Sequence, residues 1–365
     1  MKRMLALILA VSMLLCACGS KPAETTAPPE TTVPETTVPE TTAPPETTVP
    51  PTTEPTETTV PPPVDTNPLT GEALEEVTEN RPYAIMINNT AKAVPQCGIS
   101  QADILYEIIA EGSVTRFLAI FEDLSDVNVI GPVRSVRPYF YQMAKHYGAI
   151  LSSAGGSDEA ISIIKKAKYN YLNGIAGAGS AFYRDAWRKS NRGYEHSLMT
   201  TGEKLMNAAD KAGYETSMAD VDYGFHFTGE AMTAGEAANE LTIWFYKNGK
   251  KTTMTFDGST GQYVMSQHGA TSVDANDDSP ISFRNVVVLE ADSYVKDKKG
   301  HLEVQTTGTG KGFFARDGRV IPITWSREST SAQYVYTDES GNPVSFGIGK
   351  TYIAIVPDGS PFSFR

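Results

Sequence analysis

The chain has 365 residues, 40% of them hydrophobic, with 43 acidic and 31 basic side chains, a formal net charge of −12 and 3 cysteines. That length holds two average domains and can bury a real core. The acidic balance excludes wholesale nucleic-acid binding, which needs a basic footprint to displace phosphate counterions, and three cysteines exclude a disulfide scaffold. Much of the acidity sits in a tail: from Ser20 to Val64 seven glutamates face one lysine, whereas residues 66–365 carry 28 basic and 35 acidic groups.

Residues 1–17 read as a lipoprotein signal peptide. Lys2 and Arg3 form a positive start, and Met4 to Leu15 is an apolar run of about a dozen residues, too short for a hydrocarbon core of ~30 Å. Leu15-Cys16-Ala17-Cys18-Gly19 resembles a bacterial lipobox, with leucine three before Cys18, a small residue before it and glycine after. Cys16 follows Met13-Leu14-Leu15 and lacks the small neighbour, so Cys18 is the expected lipid attachment point and mature N-terminus. Several acyl chains on one residue exceed the two-signal requirement for stable anchoring. The expected address is the extracytoplasmic face of the cell membrane, with Cys97 as the remaining thiol.

Residues 18–66 read as a disordered spacer rich in proline, threonine and glutamate. Units such as ETTAPP and ETTVP recur every five or six residues without a large apolar side chain to offset the entropy of ordering. Polyproline geometry at ~3.1 Å per residue would carry a folded body on the order of 100 Å from a membrane.

The folded part is expected as an α+β arrangement: a mixed α/β domain over 67–228, then an all-β domain over 239–360. Tyr83 to Ile87 reads as a strand ending in Asn88-Asn89. Asp103 to Ala110 and Val114 to Glu122 form a hairpin around Glu111-Gly112-Ser113. Apolar spacing at Phe140, Met143, Ala144 and Tyr147 marks a helix, a second begins at Ser157, and a third at Thr200, with Glu203 completing a capping box. Beyond Asn239 come short strands separated by turns such as Asp257-Gly258 and Asp317-Gly318, a sandwich or barrel pattern.

Chemistry concentrates in the first region. With Gly112 and Ser113 as a two-residue loop, Glu107 and Glu111 would flank Arg116 on one strand face, and Asp103 would continue that face. Gly131-Pro132-Val133-Arg134-Ser135-Val136-Arg137-Pro138 runs a turn into a helix, placing Arg134 and Arg137 at a helix start where the backbone is already positive. Cations there need a negative partner, either the hairpin carboxylates or an anionic ligand. The candidate ligand-binding set is therefore Arg116, Arg134, Arg137, Asp103, Glu107, Glu111 and Asn88. A basic, aromatic stretch from Arg184 to His196 reads as a solvated loop or a ligand-contacting lid.

No cofactor or metal is expected. Gly308-Thr309-Gly310-Lys311-Gly312 lacks the following helix of a phosphate-binding loop and reads as a hairpin or bulge. Asp274, Asp277 and Asp278 lack the glycine and distal glutamate of a calcium loop, and the five histidines and few cysteines lack zinc-site spacing.

Asn67-Pro68-Leu69-Thr70-Gly71, Arg81-Pro82-Tyr83-Ala84, Gln101-Ala102-Asp103, Glu111 to Phe117 and Gly131 to Arg137 resemble the signature segments of the YerB-like lipoproteins, a bacterial envelope family built on a paired domain of unknown function, DUF3048. Asn285-Val286-Val287-Val288, Gly308-Thr309-Gly310 and Ile323-Thr324-Trp325 resemble its C-terminal β domain. The resemblance spans nearly all of residues 67–357 and implies a lipid anchor, an extracytoplasmic location and two domains, without an activity. Where relatives usually carry proline–histidine–asparagine, this chain has Tyr194-Glu195-His196-Ser197.

Three functions fit these observations. The first is a non-catalytic envelope protein, tethered to the membrane by its N-terminal lipid, that binds an anionic cell-wall polymer or precursor through Arg116, Arg134 and Arg137. The second is a hydrolase or transferase on envelope glycan or phosphodiester bonds, with Asp103, Glu107 or Glu111 as general base and the arginines as clamps. The third is an adaptor that recruits another envelope protein through its β region.

Overall fold

The computed structural model describes residues 65–74, 78–218, 221–246 and 249–365. The signal peptide, Cys18 and the spacer up to Val64 lie outside the described residues.

The hydrophobic runs of the first region become three adjacent strands: β1 (Tyr83–Asn89), β2 (Ile104–Ala110) and β3 (Val114–Phe121). Every residue of β1 and β2 is buried, so both faces of these strands are covered. That is why their apolar character is nearly continuous instead of alternating.

Helix α1 (Pro138–His146) starts as its sequence predicts, with Pro138 in the first turn, Arg137 extended at the N-cap and Gly148 left-handed past its end. Strand β4 (Ile150–Ser153) leads to α2 (Asp158–Lys166). The Ser157 side chain caps α2 by accepting from Ala160 N, and acids in its first turn and lysines in its last suit the helix dipole. Strand β5 (Tyr171–Asn173) and two further helices follow, α3 (Ala186–Asn191) and α4 (Gly202–Lys211). The cap of α4 is Thr201, whose hydroxyl accepts from Lys204 N; the expected Thr200 instead donates to Ala181 O from a buried position.

The second region supplies β6 (Glu236–Ala237), β7 (Glu240–Trp244), β8 (Lys251–Asp257), β9 (Gln262–Gln267), β10 (Asn285–Ala291), β11 (Gly308–Arg316), β12 (Arg319–Arg327), β13 (Val335–Thr337), β14 (Thr351–Pro357) and β15 (Phe362–Phe364). The glycines at 308–312 lie within β11, the first strand of a hairpin that turns at Asp317-Gly318 into β12. A Cβ on Gly312 would sit 2.2 Å from Val288 O, and one on Gly310 would meet the Trp325 indole at 2.4 Å, so close strand and ring approach explains both residues.

Strands from both regions join side by side in one eleven-stranded sheet, ordered β6–β12–β11–β10–β14–β2–β3–β1–β4–β5, with β13 on β12. The seam is a parallel pairing of β2 with β14, from Ile104 opposite Thr351 to Ile108 opposite Ile355. Fully buried Leu105, Tyr106, Tyr352 and Ile353 lie at that junction. A second sheet, including β9, β8, β7 and β15 in that order, belongs to the later region.

Candidate functional site

The β2–β3 hairpin decides where the charged residues go. Its register sets Ile108 opposite Arg116 and Ala110 opposite Val114, so three residues, Glu111-Gly112-Ser113, form the loop. The two-residue loop expected from the sequence is corrected by one position, and a shift of one residue reverses the faces of a strand. Gly112 and Ser113 both take positive φ, 76° and 59°, which the wider turn requires.

Glu107 consequently lies on the face opposite Arg116 and is fully buried. Its Oε1 accepts from Asn89 Nδ2 at 2.9 Å and Thr115 Oγ1 at 2.6 Å. Its Oε2 accepts from Tyr352 Oη at 2.6 Å, Thr252 Oγ1 at 2.8 Å and Gln267 Nε2 at 2.8 Å. Lys250 Nζ stands 3.6 Å from Oε1. Five donors and a lysine make Glu107 an internal tie between β1, β2 and β3 and the later β8, β9 and β14. Asp103 is also withdrawn: it accepts from Asn67 Nδ2 at 2.9 Å and Glu122 N at 2.7 Å. Burial pushes its carboxyl up to about 6 against those hydrogen bonds. Neither Asp103 nor Glu107 shares a face with Arg116, contrary to the sequence reading.

The remaining five candidates converge. Asn88 is directly opposite Arg116 in the β1–β3 register, so the two share a face. Arg134 and Arg137 arrive from the turn before α1, held there as Arg134 N donates to Met86 O and Tyr141 N to Arg137 O. Together with Glu111 and Thr90 they line a cleft of about 280 Å³, completed by Lys299 and His301 from the later region.

Glu111 neutralises the inner wall. Arg137 grips it bidentately, through Nε to Oε1 and through Nη2 to Oε2 at 3.0 Å, while Arg116 Nη2 reaches Oε2 at 3.1 Å. Arg116 also donates to Ser135 O and Arg137 to Val136 O. Burial opposes ionisation of Glu111, but the Arg137 hydrogen bonds and the two guanidinium charges outweigh it and hold the carboxyl below its usual range. Burial and the neighbouring Arg137 charge lower Arg116 to about 10, with Glu111 opposing them.

Arg134 differs. It is half-buried, and its one carboxylate partner among the described residues is Glu195 at 3.0 Å, whose side chain is 64% exposed. Such a pair is weak and readily exchanged. The same segment contributes His196, whose Nδ1 accepts from Asn88 Nδ2 at 2.9 Å; partial burial and the Arg134 charge lower its pKa. The 184–196 stretch thus touches two lining residues of the cleft, Arg134 and Asn88, and contains α3, capped by Asp185 accepting from Arg188 N. The sequence reading missed α3, although Asp185 before a polar run was the available signal. It also missed Thr90, Lys299 and His301. The run Lys296 to His301 was a visible basic turn, but nothing local ties it to a hairpin some 180 residues earlier.

The Asp274 carboxylate, considered above as part of an acidic loop, accepts instead from Gly98 N, Ser100 N and Ser100 Oγ, which ties the two regions together. Among the described residues no helix is long and apolar enough to cross a membrane.

Two family descriptions match the chain: the N-terminal domain of the protein of unknown function DUF3048 at residues 69–215, and its C-terminal domain at 241–353. The chain is 32% identical over 293 residues to the Bacillus subtilis (strain 168) protein named "Putative lipoprotein YerB", an alignment covering 80% of this chain and 86% of that one. The crystal structure of Bacillus subtilis YerB superposes with a TM-score of 0.72 at 30% identity, covering 82% of this chain and 99% of that one.

Proposed function

Because this chain belongs to the DUF3048 family of YerB-like lipoproteins, we propose that it is a lipid-anchored envelope protein, tethered through Cys18, that binds an anionic cell-envelope ligand in the cleft of Arg116, Arg134 and Arg137. One observation carries this reading: three guanidinium groups line one cleft whose inner carboxylate, Glu111, occupies two of them, leaving Arg134 with an exposed and exchangeable partner. An incoming phosphate or carboxylate displaces Glu195 and gains a planar, bidentate donor. Asn88 and Thr90 offer neutral polar groups beside it. Glu111 keeps the inner arginines extended and in place without a guest.

The enzymatic alternative retains one candidate base in the cleft. Glu111 is a poor one, because its arginines favour the ionised form and so weaken its proton affinity. A non-catalytic binder fits the arrangement better.

Equilibrium binding of the full-length protein to teichoic-acid and muropeptide fragments tests the proposal. The expected result is measurable affinity for at least one anionic fragment, reduced about tenfold or more by Arg134→Ala, in line with losing a charge-assisted contact. Equal binding by both proteins removes the proposal.

A further inference from the structure

Beside the arginine cleft lies a second cavity of about 460 Å³, larger than the first. Thr90 and Val114 line both cavities. The hairpin tip stands between them, with Glu111 facing the first and Ser113 the second. The second is basic as well: Lys250 and Lys251 line it with His268, and among the described residues no carboxylate does.

Lys250 is the telling residue. Its side chain is only 7% exposed, yet its ammonium has no hydrogen-bond partner among the described residues, the Glu107 oxygen standing at 3.6 Å. A buried ammonium normally has its donors satisfied, because losing water without replacing it is costly. Lys250 lines the second cavity, with its ammonium nitrogen covered just behind the wall. Lys251 stands at the same cavity with its ammonium 4.8 Å from the Trp244 ring centroid, an arrangement that restrains an otherwise mobile side chain.

Resting on the arginine-cleft reading, we infer that the ligand is a linear polyanion, one acidic group held by Arg134 in the first cavity and a later one by Lys251 in the second, where the covered Lys250 ammonium adds its charge, with the chain passing over Thr90 and Val114. A small anion fills one cavity and leaves the other's cations idle. A chain with repeating acidic groups engages both, the second contact forming at the high effective concentration set by the first. The surrounding body is acidic overall, so these two cavities must supply the attraction locally, and added salt weakens it.

The test titrates the full chain with glycerol phosphate and with poly(glycerol phosphate) long enough to span both cavities. The long polymer is expected to bind on the order of a hundredfold more tightly than the monomer. Lys251→Ala removes about tenfold or more of the polymer affinity and leaves monomer binding unchanged. Lys250→Met is expected to act in the same direction, but it strands Glu107, so the surface variant Lys251→Ala carries the test. Equal affinity for monomer and polymer, or an unaltered polymer affinity in Lys251→Ala, overturns the inference while the arginine site stands. Monomer binding that survives Arg134→Ala undiminished instead removes the site on which the inference rests.

Discussion

Glu107 and Glu111 leave the same hairpin four residues apart and meet opposite surroundings. Glu107 points into the seam of the sheet, where five hydrogen bonds and Lys250 surround it. Glu111 sits past the strand end, where it faces two arginines and an open cleft. The first carboxylate belongs to the fold, since its donors come from strands of both regions. The second holds a cleft wall in shape, since its partners are two of the arginines that line it. An acid beside an arginine in sequence therefore says little about role until the face of the strand is known.

The comparison breaks most visibly at Glu107. Glu107→Ala leaves a buried ammonium without its counter-charge and strands five donors, and is expected to cost about 3–5 kcal/mol in urea denaturation. A loss under ~1 kcal/mol would mean the seam tolerates the charge, and the contrast with Glu111 would fail.

A second effect comes from Asp103, a half-buried residue just ahead of β2 whose carboxylate is withdrawn from solvent. Burial raises its carboxyl to about 6, so between about pH 4 and 6 the folded state holds a proton that the unfolded chain has released. Its contribution to stability accordingly falls as pH rises through that window, by roughly 3 kcal/mol, and is level above it. Unfolding measured across that range should show this slope in the parent and lack it in Asp103→Asn, whatever the variant's absolute stability. Parallel pH profiles would contradict the assignment.

The smallest of these effects sharpens the account of Glu107. Tyr352→Phe removes one of its five donors while preserving the ring, and is expected to cost about 1 kcal/mol. Chemical denaturation resolves that value, and a neutral result would place the binding energy of the tie in the other four.

Much of the fold was legible in local signals. Pro138 at a helix start, Ser157 as a cap with acids behind it, and short strands between turns beyond Asn239 each follow from local geometry. Three features were not. The hairpin register depends on whether Glu111 joins the loop, a difference of one residue that sends Glu107 to the other face. The pairing of β2 with β14 joins residues about 250 positions apart, and no local pattern specifies it. Thr200 and Thr201 are chemically identical as caps, and tertiary burial of the first decides between them. For the site, the arginines and Asn88 could be read because strand ends and a helix start place them. Lys299, His301 and Lys250 could not, because they arrive through the later region's packing on the hairpin.

The central claim is that Glu111 occupies, and Arg134 offers, an anion site. The most direct measurement is the affinity of the full-length protein for one anionic envelope fragment, compared at a single ionic strength with Glu111→Gln and Arg134→Ala. Removing the internal carboxylate should tighten binding, and removing the available guanidinium should weaken it, so that the parent falls between the two variants. Three indistinguishable affinities would contradict it.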